Sequence, residues 1–320
     1  MPIVCGRDLY LLLVIAVMRL VTPWSIETPR KWAAAGAASV AYRLSRGKRL
    51  RSEQGIEAAF RDALTSEQKA AIVKESFRQF WHDPFTSPRP LPDGDRAVVG
   101  LSHVHDALAA GRGVILWESS QFGGRVVSKR ILRDAGLRVC QVHASNHVGG
   151  FGNHGSPPSV LRRRVIERYF DRYELRFVDD VIWLAVEGGV GGRRALFQPL
   201  RENRIVCMGN DGRYGQKFVS VPFFDDTRPV ATGIVTLARA TGATILPLFC
   251  VEEPPGEWRV IIEPPIRFAD GADRDDAAHD AAVQYVSLLE AYIRRYPGQY
   301  RTWEFLRPRQ PGARPSEPGA

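Results

Sequence analysis

Apolar positions divide this chain into two regimes. The first opens with an unbroken apolar run, Leu9 to Met18, bounded by Arg7 and Asp8 on one side and Arg19 on the other. Carried on to Val21, the run makes about 20 Å of helix against roughly 30 Å of bilayer hydrocarbon, so a straight span is not expected. An interfacial or re-entrant anchor fits this length, with the flanking arginines meeting headgroups. A buried core helix is one rival. A secretory signal is another, weakened because the small residues from Ala33 to Ala38 lie beyond Arg19, Arg30 and Lys31. Further on, Arg30–Leu44 is alanine-rich. Glu53–Leu64 and Ser66–Trp81 carry apolar residues at helical spacing, with Thr65 or Ser66 able to cap the second helix.

A proline-rich connector, Pro84 to Asp95, ends that regime. Beyond it the pattern alternates. Short apolar runs predict strands at Val114–Trp117, Leu137–Val142, Ile205–Met208, Thr244–Val251 and Trp258–Ile262. Amphipathic stretches predict helices at Arg125–Ala135, Ser159–Tyr169, Ala231–Ala240 and Asp276–Arg294. Strand–helix alternation implies an α/β fold with a mostly parallel sheet flanked by helices. Three regions are expected: residues 1–85 as a helical membrane-anchoring region, 86–306 as the α/β domain, and 307–320 as a Pro/Gly/Arg-rich disordered tail.

Composition narrows the partners. The 320 residues carry a formal net charge of +9, with 44% hydrophobic and 25% charged positions. A core is affordable in such a chain, and anionic partners are favoured: lipid headgroups, phosphorylated sugars, an acidic carrier protein or nucleic acid. No basic–aromatic recognition motif appears, which argues against nucleic acid. The four cysteines have no C-x-x-C spacing, so a zinc ribbon or thioredoxin-like motif is absent and no metal or other cofactor is expected. Cys140, Cys207 and Cys250 sit in strand-like runs and read as core thiols.

Ligands of a parallel sheet bind beyond the carboxyl ends of its strands. Two loops are placed there: ESSQFGG, Glu118 to Gly124, and NDGRYGQKFVSVPFFDD, Asn210 to Asp226. Ser119 and Ser120 lack the G-x-S-x-G elbow of a serine nucleophile. The glycine-rich stretch His147 to Gly155 reads as a loop or lid. Arg162, Arg163 and Arg164 offer either a solvated helix face or a headgroup contact.

Five segments share an order and spacing with one known family. They are KESFRQFW (Lys74–Trp81), GRGVILW (Gly111–Trp117), IVCMGNDGRYGQKFVSVPFFDD (Ile205–Asp226), GIVTLARATGATILPLF (Gly233–Phe249) and IRRYPGQYRTW (Ile293–Trp303). With the apolar N-terminal helix, they make the chain resemble the bacterial lipid A biosynthesis acyltransferases and the relatives that acylate mannosylated phosphoinositides, within the glycerolipid acyltransferase superfamily. The resemblance runs from about residue 5 to 307. It implies transfer of a fatty acyl chain from an acyl-carrier protein or acyl-CoA to an anionic membrane lipid or glycolipid, at the cytoplasmic face of a bacterial inner membrane. Asp211, Tyr214 and Gly215 match the family's turn, and Val221 to Phe224 match its Val-Pro-Phe-Phe; Asp225 replaces the final glycine. Substrate contacts are accordingly expected at Phe122, Gly123, Arg163, Arg164, Asp211, Arg213, Phe223 and Phe224.

The resemblance breaks at the chemistry. The family has Gly-His-Phe-Gly-Asn-Trp-Glu after its strand, whereas this chain has Gln121 at the histidine and Val126 at the carboxylate. Acyl transfer to a hydroxyl needs a base for the proton and donors for the oxyanion. Glutamine is no base, although it can hold a group by hydrogen bonds. None of the seven histidines has an acidic residue five positions later, so the pair has not moved elsewhere. Glu118 is the candidate base if burial against Trp117 raises its pKa; otherwise it is an ordinary polar loop residue. His143, His147 and His154 are further candidates. The expected catalytic residues are thus Gln121 and Glu118, and a non-catalytic lipid-binding relative is the rival reading.

Overall fold

The computed structural model describes residues 4, 6–21, 27–82, 85, 94–144, 159–184, 190–209, 217–254, 256–268 and 273–306. Four helices come first: α1 (Gly6–Val21), α2 (Glu27–Leu44), α3 (Arg46–Phe60) and α4 (Ser66–His82). Strands and helices then alternate: β1 (Val98–Val99), α5 (Leu101–Ala109), β2 (Val114–Glu118), α6 (Arg125–Asp134), β3 (Val139–Ala144), α7 (Glu167–Glu174), β4 (Asp180–Leu184), α8 (Val190–Arg201) and β5 (Ile205–Gly209). A hairpin follows, β6 (Phe218–Phe223) and β7 (Asp226–Ala231), and then α9 (Gly233–Thr241), β8 (Thr244–Glu253), β9 (Glu257–Ile262) and α10 (Arg274–Arg295). A helical turn, Arg162–Ile166, leads into α7.

The main sheet has the order β1-β9-β8-β2-β5-β3-β4. All its pairings are parallel except β8 with β9, so the α/β reading of the sequence holds. Strand β2 lies at the centre and is buried along its whole length, as its unbroken apolar run VILW requires. Its pleat sends Trp117 to one face and Leu116 to the other. On the Leu116 face pack α5 and α6, through Val104, Val127 and Ile131. On the Trp117 face pack α9, α10 and the four N-terminal helices, in one continuous core. There Trp117 stacks on Tyr285 of α10, ring centroids 4.2 Å apart and ring planes nearly parallel.

Helix α1 is two-sided. Leu11, Val14 and Met18, at helical spacing, are buried in that shared core. Leu9, Leu13 and Leu20 face out, with 63, 63 and 69% of their surface exposed. Asp8 is buried and ion-paired with Arg162 at 3.2 Å, and the Ser159 hydroxyl donates to it at 2.6 Å. The helix therefore lies along the domain, with one face in its core. Among the described residues no helix is long and apolar enough to cross a membrane.

Several elements differ from expectation. Helix α3 starts at Arg46, ahead of the expected Glu53, and stops at Phe60, where Arg61 turns to a positive φ of 51°. Elements α5, β4 and α8 were not anticipated. The second half of the expected loop from Asn210 to Asp226 is strand β6, paired antiparallel with β7. The tail from 307 and the glycine-rich stretch His147–Gly155 lie outside the described residues.

Candidate active site

Strands β2, β3, β4, β5 and β8 run the same way, so the segments following β2, β3, β4 and β5 leave the sheet at one edge. The segment after β2 is the one described there, and it is tightly held. Gly123 has φ +65°, and a Cβ on it would lie 1.8 Å from the Cys250 carbonyl oxygen of β8. Only glycine combines that backbone with that approach. Its N–H donates to the Gln299 carbonyl at 3.0 Å, and the Gly124 N–H donates to the Cys250 carbonyl at 3.3 Å. Phe122 is buried against Phe249 and Tyr292 and forms an isolated antiparallel bridge with Tyr300. Arg301 completes the strap. Its N–H donates to the Gln121 carbonyl at 2.8 Å, and its Nη2 donates to the Ser120 carbonyl at 2.8 Å. Phe122 and Gly123, expected to touch substrate, are thus first of all the frame of the loop.

That frame presents Gln121, half-exposed at the carboxyl edge of β2. Its Oε1 accepts three hydrogen bonds: from Thr302 Oγ1 at 2.9 Å, Arg228 Nη2 at 3.2 Å and the Tyr300 hydroxyl at 3.3 Å. Arg228 comes from β7 and lies over the ring of Phe223, 5.0 Å from its centroid. The hairpin and the strap after α10 therefore converge on the position where the resembled family has its histidine. Sequence reasoning did not single out these three partners. Tyr300 and Thr302 sit in the IRRYPGQYRTW segment, which carried the resemblance without a role for either residue. Arg228 carried no signal at all.

Glu118 sits beneath the loop, and the structure corrects the expectation of a raised pKa. By pleat alternation its side chain points away from the Trp117 face, towards α6. There it is ion-paired with Lys129 and accepts from Gln141 Nε2 at 3.0 Å. Burial alone pushes the carboxyl up. The charges of Lys129 and Arg125, with the hydrogen bonds from Lys129 and Gln141, outweigh it and bring the pKa down to about 2. The carboxylate is ionised and committed to a buried cation. The nearby Cys207 thiol is pushed up to about 12, by burial first and by Glu118 next, so it is no nucleophile at neutral pH.

The remaining candidates are spread. His143, at the end of β3, is buried, with Nε2 3.7 Å from Asp171 of α7 and its ring edge-on to Trp183. His147, His154, Asp211, Arg213 and the side chain of Arg163 lie outside the described residues. Arg164 is exposed. Arg162, read as part of a basic face, is instead buried against Asp8. Phe223 is buried, its ring packed edge-on against Phe224 and Tyr300. Phe224 has φ +53°, donates its N–H to Glu290 at 2.6 Å and faces Phe60 and Trp303. The pair thereby joins the hairpin to α3 and α10.

Residues 163–307 match the profile of a family described as bacterial lipid A biosynthesis acyltransferase. A phosphatidylinositol mannoside acyltransferase of Mycobacterium tuberculosis (strain CDC 1551 / Oshkosh) is 26% identical over 252 residues, covering 73% of this chain and 67% of the relative. The enzyme of that name from Mycolicibacterium smegmatis is 25% identical over 249 residues, covering 73% and 69%. The chain is thus similar to the bacterial lipid A biosynthesis acyltransferases over residues 163–307, and the acyltransferase names of these relatives support an acyl-transferring enzyme.

Proposed function

We propose that this protein moves a fatty acyl chain from an acyl thioester, carried by acyl-CoA or an acyl-carrier protein, to a hydroxyl of a glycolipid such as a mannosylated phosphoinositide. A lysophospholipid-like acceptor is the alternative within the same chemistry. The observation that carries the reading is the built loop at the carboxyl end of β2. Strap, hairpin and strand meet there around one polar side chain, Gln121, at the family's catalytic position. The acyltransferase names of the mycobacterial relatives support the mannosylated acceptor.

In this reading Gln121 positions a reacting group, and Glu118 acts through Lys129 to hold the loop from below. Alignment of thioester and hydroxyl supplies much of the rate, because fixing two reactants in place removes most of the entropic barrier. Phe122, Gly123, Phe223 and Phe224 shape the walls, Arg163, Arg164 and Arg213 are the contacts for anionic groups, and Asp211 accepts hydrogen bonds from the acceptor. The outward face of α1 rests on the cytoplasmic side of the inner membrane through Leu9, Leu13 and Leu20, which brings a lipid acceptor to the site.

The test is direct. Purified full-length protein is mixed with palmitoyl-CoA and vesicles containing a phosphatidylinositol mannoside. Acceptor-dependent release of free thiol, with an acylated lipid product, is expected. Binding of the vesicles without thiol release above the buffer control would leave a lipid-binding relative instead.

A further inference from the structure

Among the described residues, the amide of Gln121 is loaded on one atom only. Oε1 takes three donors, from Thr302, Arg228 and Tyr300. A guanidinium can only donate, so the atom facing Arg228 is the amide oxygen, and this fixes which way round the side chain stands. Arg228 Nη1 also donates to the Tyr300 hydroxyl at 3.4 Å, which leaves that hydroxyl's own proton for Gln121. Nε2, by contrast, makes no hydrogen bond to any described residue, on a side chain half-open at the carboxyl edge of β2. Donors on the oxygen draw electron density from the amide and strengthen its N–H as a donor. The nearby guanidinium favours negative charge at the same place.

We propose that Gln121 supplies the oxyanion hydrogen bond of acyl transfer: Nε2 meets the thioester carbonyl oxygen, and Arg228, Tyr300 and Thr302 are the positioning residues that hold the amide in that sense. The inference rests on the acyltransferase reading. In the step itself, the acceptor hydroxyl oxygen bonds to the carbonyl carbon and the C=O pair moves onto the oxygen beside Nε2. Return of that pair breaks the C–S bond. The leaving thiolate takes up the proton that the hydroxyl releases, so ester and free thiol are the products. Glutamine moves no proton in this sequence, which is why its lack of basicity does not disqualify it. The position that serves proton transfer in relatives would here serve charge stabilisation.

The experiment uses full-length protein, palmitoyl-CoA and phosphatidylinositol mannoside vesicles, with kcat and KM for the thioester read separately. Gln121→Leu keeps the bulk and removes the amide. Its kcat is expected to fall by about 10²–10³ with KM nearly unchanged, as for other oxyanion donors. Tyr300→Phe and Thr302→Val each remove one of three donors to Oε1. Each is expected to lower kcat by roughly 2- to 10-fold at constant KM, the worth of one hydrogen bond. A raised KM at constant kcat in Gln121→Leu, or no change in either, overturns the inference and leaves the acyltransferase reading standing. If Gln121→Leu fails to fold, the Tyr300→Phe/Thr302→Val double variant decides: reduced kcat at constant KM supports the inference, and an unaltered kcat overturns it. Absence of thiol release by the unaltered protein overturns both.

Discussion

Glu118 and Lys129 form a buried ion pair directly beneath the loop that carries Gln121, on the opposite face of β2 from Trp117. The pairing turns a residue expected to be a base into an anchor. Removing one partner leaves a buried charge uncompensated, which typically costs about 3–5 kcal/mol, whereas replacing both with apolar groups is often neutral. Glu118→Gln is therefore expected to lower the denaturant midpoint strongly. Glu118→Leu combined with Lys129→Met should recover most of the loss. Equal destabilisation by the single and double variants would contradict the pairing argument.

The same pair sets a pH dependence. The folded pKa of Glu118 is about 2, below its ordinary value of 4.5. A depressed carboxyl contributes stability that is fully present above the unfolded pKa and is lost as pH falls through the folded one. Unfolding free energy should accordingly decline between about pH 4.5 and pH 2, and that slope should be shallower in Glu118→Gln. Identical slopes for the two proteins would show that other carboxylates account for the acid sensitivity.

Asp8 and Arg162 make a second buried pair, joining α1 to the start of the α7 helical segment. Asp8→Ala is expected to cost about 3–5 kcal/mol by the same reasoning. Deleting residues 1–22 should do more than detach an anchor, because Leu11, Val14 and Met18 belong to the shared core. A truncated protein with an unchanged melting temperature would disprove this account of α1.

Point substitutions on the outward face of α1 are the cleaner test of membrane contact. Leu9, Leu13 and Leu20 are exposed, so changing all three to Ser should spare the fold. Each leucine buried in lipid is worth about 1.5–3 kcal/mol, so vesicle binding should fall by well over tenfold. Undiminished co-sedimentation of the triple variant with anionic vesicles would rule out this face.

The last prediction restores the family's pair. Gln121→His with Val126→Glu places a base at the end of β2 and a carboxylate in the first turn of α6, where Val126 is now buried. If the pocket is intact, turnover should rise above that of Gln121→Leu by about 10²–10⁴, the contribution of general base catalysis without the amide donor. Its pH profile should gain a limb that climbs with pH as the histidine loses its proton. A flat profile at the level of Gln121→Leu would show that the new histidine does not reach the reacting hydroxyl.

Much of this architecture was readable along the chain. Runs such as VILW in β2 and ILPLFCV in β8 are apolar without interruption because both faces of those strands are covered. The spacing from Asp276 to Arg294 marks α10 for the corresponding helical reason. The hairpin β6–β7 was missed: Pro222 and Pro229 interrupt its alternation, and a two-stranded sheet needs no long apolar run. Strand β4 carries an apolar run, VIWL, of the same kind as β2 and was legible on that ground, whereas in α8 Gly191, Gly192 and Pro199 obscure the helical spacing.

By itself the sequence determined the α/β alternation, the apolar N-terminal helix and the exchange of histidine for Gln121, because each is written in neighbouring residues; which face of that helix is buried was decided by the fold. The tertiary structure alone decided what surrounds Gln121. Arg228, Tyr300 and Thr302 stand 107, 179 and 181 positions away and meet it only after the hairpin and the strap close over β2. It also decided the state of Glu118. Burial and an opposite charge push a carboxyl pKa in opposite directions, and which one wins depends on where the pleat sends the side chain and whether Lys129 is there to meet it.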